Sequence, residues 1–92
     1  MVSPYVVVYA VKNRFNDIRL GITAGKKIGK AVARNRAKRV ITAAFRQALP
    51  QIPTGYDYVI VARSRILTVK STVVAESLLK LFKSADLKDN SK

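Results

Sequence analysis

Between Ala24 and Ala31 the spacing of apolar residues changes from two to an alternation of three and four. Upstream, Ile18, Leu20, Ile22 and Ala24 alternate with Arg19, Gly21 and Thr23, which is a half-buried strand. Downstream, Ala33, Ala37, Val40, Ile41, Ala44, Phe45 and Ala48 form one stripe on a helix predicted from about Ala31 to Leu49. Pro50 and Pro53 end it. A helix with a single apolar stripe must bury that stripe on something, and in 92 residues the available surface is a small sheet.

The rest of the chain supplies that sheet. Tyr5 to Lys12 is β-branched and aromatic, hence a strand, and both of its faces are apolar, so each should be covered. Asn13 to Asp17 is a turn of suitable length for a hairpin into the strand Ile18 to Ala24. Tyr56 to Arg63 is a third strand and Ser64 to Lys70 a loop. Ser71 to about Ala85 is a second amphipathic helix with Val74, Leu78, Leu81 and Phe82 as its stripe. The order β-β-α-β-α gives the α+β class: a small two-layer sandwich with helices on one face of a three-stranded sheet, in a single domain spanning 1–92. The polar tail 86–92 should fray.

Charge narrows the function. Eighteen Lys plus Arg against five Asp plus Glu give +13, and self-repulsion on that scale points to a polyanionic partner. With 49% hydrophobic residues the chain is too apolar for a disordered basic tail. The stretch Lys26 to Arg46 holds eight cations and no acid. An ordinary solvated helix face mixes signs to gain i,i+4 pairs, and this one has none. A membrane-surface helix would need its apolar stripe free for lipid, but here the sheet claims it. On a helical wheel Arg34 and Lys38 share one flank, Arg36 lies on the other with Arg39 leaning towards it, and Asn35, Arg39 and Arg46 face solvent. Such a ridge can touch two separate polyanionic segments. Lys26, Lys27 and Lys30, in and after a loop bracketed by Gly25 and Gly29, can meet backbone phosphates near the helix N-terminus, although the spacing is not that of a P-loop.

Catalysis by the protein itself is not expected. There is no His and no Cys, and Asp17, Asp57, Glu76, Asp86 and Asp89 show no spacing suited to acid/base work or metal binding. Ser71 and Thr72 read as helix caps. Most aromatics read as core. For Tyr9, on a strand with two apolar faces, burial and stacking on a single-stranded base both remain open. No signal peptide and no apolar run long enough to span a bilayer is seen, and the absence of Cys fits a reducing compartment.

Three motifs carry a resemblance. Ile18-Arg19-Leu20-Gly21-Ile22, Gly25-Lys26-Lys27-Ile28-Gly29-Lys30-Ala31-Val32 and Arg34-Asn35-Arg36-Ala37-Lys38-Arg39 strongly resemble the bacterial ribonuclease P protein subunit family. The strand Tyr58 to Arg63 and the helix segment Ser77 to Phe82 match as well, so the likeness covers Tyr5 to about Lys83. It implies a mixed sheet with a left-handed β-α-β crossover, where the general rule would favour the right hand. It also implies a non-catalytic partner of a catalytic RNA that, with Mg²⁺, removes the 5′ leader from precursor tRNA in the bacterial cytoplasm. By that resemblance Arg34, Asn35, Arg36, Lys38 and Arg39, with Lys26 and Lys27 before them, bind RNA, and Tyr9 matches a cleft aromatic. Lys30 and Arg46 of the basic ridge complete the RNA-binding candidates, and Tyr9, Arg19 and Lys38 are the candidates for a leader cleft.

The chain departs from the family pattern in beginning almost at the first strand, where members carry a further helix that walls the cleft. It also has Gly25 where Ser is frequent and Thr42 where a basic residue is. The expectation that follows is an uncovered sheet face, with self-association or element swapping as the consequence. A general RNA-binding module of ribosomal type, or a shortened self-associating chain of this fold, are the other readings.

Overall fold

The computed structural model describes residues 1–14 and 17–85. The strands are β1 (Val6–Lys12), β2 (Ile18–Thr23) and β3 (Tyr56–Ala62), and the helices are α1 (Ala31–Ala48) and α2 (Ser71–Ala85). The sheet order is β1-β3-β2. β3 is antiparallel to β1, with Tyr9 opposite Val59, and parallel to β2, with Gly21 opposite the same Val59. The α+β class and the three-stranded mixed sheet expected from the sequence are therefore present.

The expected hairpin is not. β1 and β2 do not pair, because β3 lies between them. Parallel neighbours need a crossover, and α1 supplies one between β2 and β3, which brings β3 into the centre. Asn13 and Asp17, at the two ends of the connection from β1 to β2, are bonded to the start of β3 and the residue before it. Asn13 N–H donates to the Gly55 carbonyl (2.9 Å), Gly55 N–H donates to the Asp17 carbonyl (2.9 Å), and Asn13 Nδ2 donates to Asp57 Oδ1 (2.9 Å). Phe15, within this connection, and the tail 86–92 lie outside the described residues.

β3 is central because its inward residues can fill the core. Tyr58 and Ile60 are fully buried, together with Val6 and Val8 of β1, Ala37 and Ile41 of α1, and Val74 and Leu78 of α2. The Tyr58 ring meets Phe45 and Phe82 edge-on, with centroids 6.0 and 5.1 Å away, while its hydroxyl donates to the Pro53 carbonyl (2.6 Å). A buried phenol needs such a partner.

Both helices pack on this inner face, and the other face of β1 stays open. Tyr9 and Val11 are 57% and 62% exposed, while Tyr5 and Val7 are half-buried. The expectation that both faces of the first strand would be covered thus holds for one face only. At the edge of β1, Met1 and Val2 fold back as a short bridge: Val8 N–H donates to the Met1 carbonyl (2.8 Å) and Val2 pairs with Val7. Two expected loops are in fact short 3-10 turns, Lys26–Ile28 and Ser64–Thr68, each pinned by one buried side chain, Ile28 and Ile66.

Candidate nucleic-acid interface

α1 lies with Ala37, Ile41, Ala44, Phe45 and Ala48 against the sheet and α2, which turns its polar residues outward along both flanks. Its first turn holds no acid, and its N-cap, Lys30, makes no side-chain cap bond. The positive end of the helix dipole is therefore reinforced by lysines rather than offset. That arrangement costs stability in the free protein and suits an anion.

Two grooves flank the helix. On the β2 side, about 620 Å³ is enclosed between the edge strand and the C-terminal half of α1, lined by Ile18 and Leu20 of β2 and by Thr42, Phe45, Arg46 and Leu49 of the helix. Lys38 sits one turn before Thr42, whose hydroxyl donates to the Lys38 carbonyl (2.8 Å). Arg34, half-buried, lies a further turn back. On the α2 side, about 610 Å³ lies between Arg36, Arg39, Val40 and Ala43 and the segment from Leu67 to Ser71. Arg36 and Arg39 thus line the α2-side groove, whereas Arg34 and Lys38 precede the β2-side groove along the same flank of α1 and the cation that lines it is Arg46, with Asp17 at its other wall. Arg46, read as facing open solvent, in fact lines the β2-side groove, and Arg39 lines the other; Asn35 is exposed.

Lys26 and Lys27 stand elsewhere, at the C-terminal end of the parallel β2–β3 pair, beside Arg63 and Ser64. Arg63 Nη1 donates to the Ser3 carbonyl (3.0 Å), which anchors the bridge formed by Met1 and Val2.

The three leader-cleft candidates are divided by the sheet. Tyr9 and Arg19 share the outer face, on opposite sides of β3, and Arg19 pairs with Asp57 at 3.6 Å. Lys38 belongs to the helix layer on the inner face. Ser71 and Thr72, read as caps, are the first two residues of α2 itself: the Ser71 hydroxyl accepts from Gln47 Nε2 (3.0 Å), and the Lys70 carbonyl accepts from Val73 and Val74 N–H.

Sequence reasoning missed Arg63 and Lys70 as neighbours of the basic ridge. A signal for Lys70 was available, since a cation just before a helix start, with no acid in the first turn, opposes the dipole. None was available for Arg63, whose place depends on strand order. Among the described residues no group of three His, Cys, Asp or Glu could hold a metal ion, and no helix is long and apolar enough to cross a membrane.

Comparison with known proteins agrees with this geometry. The family model described as Ribonuclease P matches residues 1–86. The ribonuclease P protein component of Pelotomaculum thermopropionicum is 39% identical over 83 residues, covering 90% of this chain and 74% of the relative. The solved ribonuclease P protein of Thermotoga maritima superposes with a TM-score of 0.80 at 36% identity, over 91% of this chain and 80% of that one. The Staphylococcus aureus protein superposes with a TM-score of 0.77 at 30% identity, over 97% and 82%.

Proposed function

Because the chain belongs to the ribonuclease P protein family, we propose a division of labour in which its cations hold RNA and the RNA does the chemistry. The family's protein is the protein subunit of the ribonucleoprotein enzyme that matures the 5′ end of tRNA, and its partner is the ribonuclease P RNA. Membership sets aside the ribosomal-type alternative. The observation that carries the finer reading is the acid-free helix α1, with Arg36 and Arg39 lining the groove on one flank and Arg46 lining the groove on the other.

In this reading Arg34, Asn35, Arg36, Lys38, Arg39 and Arg46 contact the RNA subunit, with Lys26, Lys27 and Lys30 extending the contact at the helix start. Arg suits the work because its planar fork meets phosphate oxygens in pairs. Mg²⁺ is expected with the RNA partner. The outer sheet face, with Tyr9 exposed and Arg19 across β3 from it, takes the single-stranded leader of precursor tRNA by stacking on the phenol ring. Lys38 lies on the other side of the sheet and serves the RNA subunit. The bacterial cytoplasm is the proposed compartment.

The test is cleavage of precursor tRNA by a bacterial ribonuclease P RNA at low Mg²⁺, with and without the protein. Cleavage should rise on addition of the protein, and Tyr9→Ala should weaken binding of leader-bearing substrate while leaving mature tRNA unaffected. No stimulation at any protein concentration would sink the reading. A second copy docked on the same exposed Tyr9, Val11 and Val59 face is the competing use of that surface. Sedimentation at low and high protein concentration separates the two. A concentration-dependent dimer that loses leader affinity supports self-association, and a monomer with leader affinity excludes it.

A further inference from the structure

The α2-side groove does not stop at Ala43. A second hollow of about 550 Å³ at the start of α1 is lined by Lys30, Val32, Ala33, Arg36 and Leu67. The two hollows share Arg36 and Leu67, so they form one furrow along α1 from Lys30 to Ala43. At a rise of about 1.5 Å per residue that is about 20 Å. Its rim is cationic, with Lys30, Arg36 and Arg39 on one side and Lys70 on the other. Ala33, Val40, Ala43, Leu67 and Val69 give it an apolar floor, and Val32, 78% exposed in the first turn of the helix, stands at its edge. No Asp or Glu lines either part.

The second wall is built rather than draped. Ile66, fully buried, fastens the 3-10 turn Ser64–Thr68 to the core. The Gln47–Ser71 hydrogen bond (3.0 Å) ties α1 to the start of α2 and fixes the groove's width. Lys70 is thereby held at the N-terminal end of α2, where the helix dipole disfavours a cation, and across the groove from two arginines that repel it. Both penalties reverse when a polyanion lies between the walls.

We propose that the junction from Leu67 to Ser71 is the second wall of an RNA-backbone track, with phosphates of one strand held between Lys70 and the Arg36–Arg39 pair and riboses resting on the apolar floor. This deepens the RNA-binding reading above and rests on it. The track is distinct from the β2-side surface of Lys38.

Binding of the full chain to a bacterial ribonuclease P RNA across a salt series is the experiment. Lys70→Ala should weaken binding about three- to tenfold and reduce the magnitude of the log–log salt slope by about 0.7–0.9. Lys70→Arg should restore most of the loss. Combined with Arg39→Ala, the loss should be smaller than the product of the single losses; combined with Lys38→Ala it should equal that product. The chain has no Cys, so an iron chelate tethered at Thr68→Cys gives a readout independent of Lys70, and it should cleave the RNA backbone locally. A wild-type protein that fails to bind the RNA overturns the functional reading itself. A protein that binds, but with Lys70→Ala unchanged in affinity and slope or with no cleavage from position 68, overturns the track alone.

Discussion

Gly29 and Gly25 look interchangeable in the sequence, two glycines bracketing a basic loop. The backbone separates them. Gly29 has a φ of 134° and a Cβ placed there would lie 3.3 Å from the Ala33 side chain, whereas Gly25 has a φ of −81° and open space around it. A side chain at Gly29 forces a conformation reserved for glycine, at the junction that aims Lys26 and Lys27 relative to α1. Gly29→Ala should therefore destabilise by about 1–3 kcal/mol. Gly25→Ala should be neutral or stabilise by about 0.4–1 kcal/mol, through the unfolded chain. Urea midpoints of the two variants would check this, and equal shifts would contradict it. The residue types were legible from the sequence, but which glycine is obligatory was not, because φ is set by how the 3-10 turn Lys26–Ile28 enters α1.

At the scale of elements, α1 is a helix whose two flanks serve different surfaces. The wheel separates Arg34 and Lys38 from Arg36 and Arg39, and the structure fills in what each flank meets: the edge strand β2 on one side, and the start of α2 on the other. Alanine pairs within a flank (Arg36 with Arg39, or Arg34 with Lys38) should show coupled losses of RNA affinity. Pairs across flanks, such as Arg36 with Lys38, should be additive within about 0.3–0.5 kcal/mol. Titrations of single and double variants against the ribonuclease P RNA measure this, and uniform coupling across all pairs would mean one continuous surface. Periodicity identified α1, α2 and all three strands because each buries one face. It could not pair the strands. The connection from Asn13 to Asp17 is short enough for a hairpin, yet β3 took the place beside β1 because it buries Tyr58 and Ile60 at the centre of the core.

At the scale of the whole molecule, the charge of +13 sets how the protein meets RNA. Neutralising about five phosphates should give a log–log dependence of affinity on salt with a slope of roughly −3.5 to −4.5. Affinity that barely moves between low and moderate salt would show that phosphate contacts are not what binds. The charge also opposes pairing of two copies through the open sheet face. The apolar side chains exposed there, Tyr9, Val11 and Val59, favour it. Which effect wins depends on ionic strength, because salt screens the repulsion and leaves apolar burial intact.

What the sequence determined by itself is whatever depends on near neighbours along the chain. It set the elements and their buried faces, the acid-free ridge from Lys26 to Arg46, and the motifs that mark the family. A helix face and a strand face are local periodicities, and a missing acid at i±4 is read in a single window. The tertiary structure alone decided what depends on residues far apart in the chain. It placed β3 between β1 and β2, and so divided Tyr9 and Arg19 from Lys38 across the sheet. It brought Arg63 beside Lys26 and Lys27, and set Lys70 across a groove from Arg36 and Arg39. Those neighbours meet because the core is filled best with Tyr58 at its centre, and packing of that kind is a property of the assembled layers rather than of any one segment.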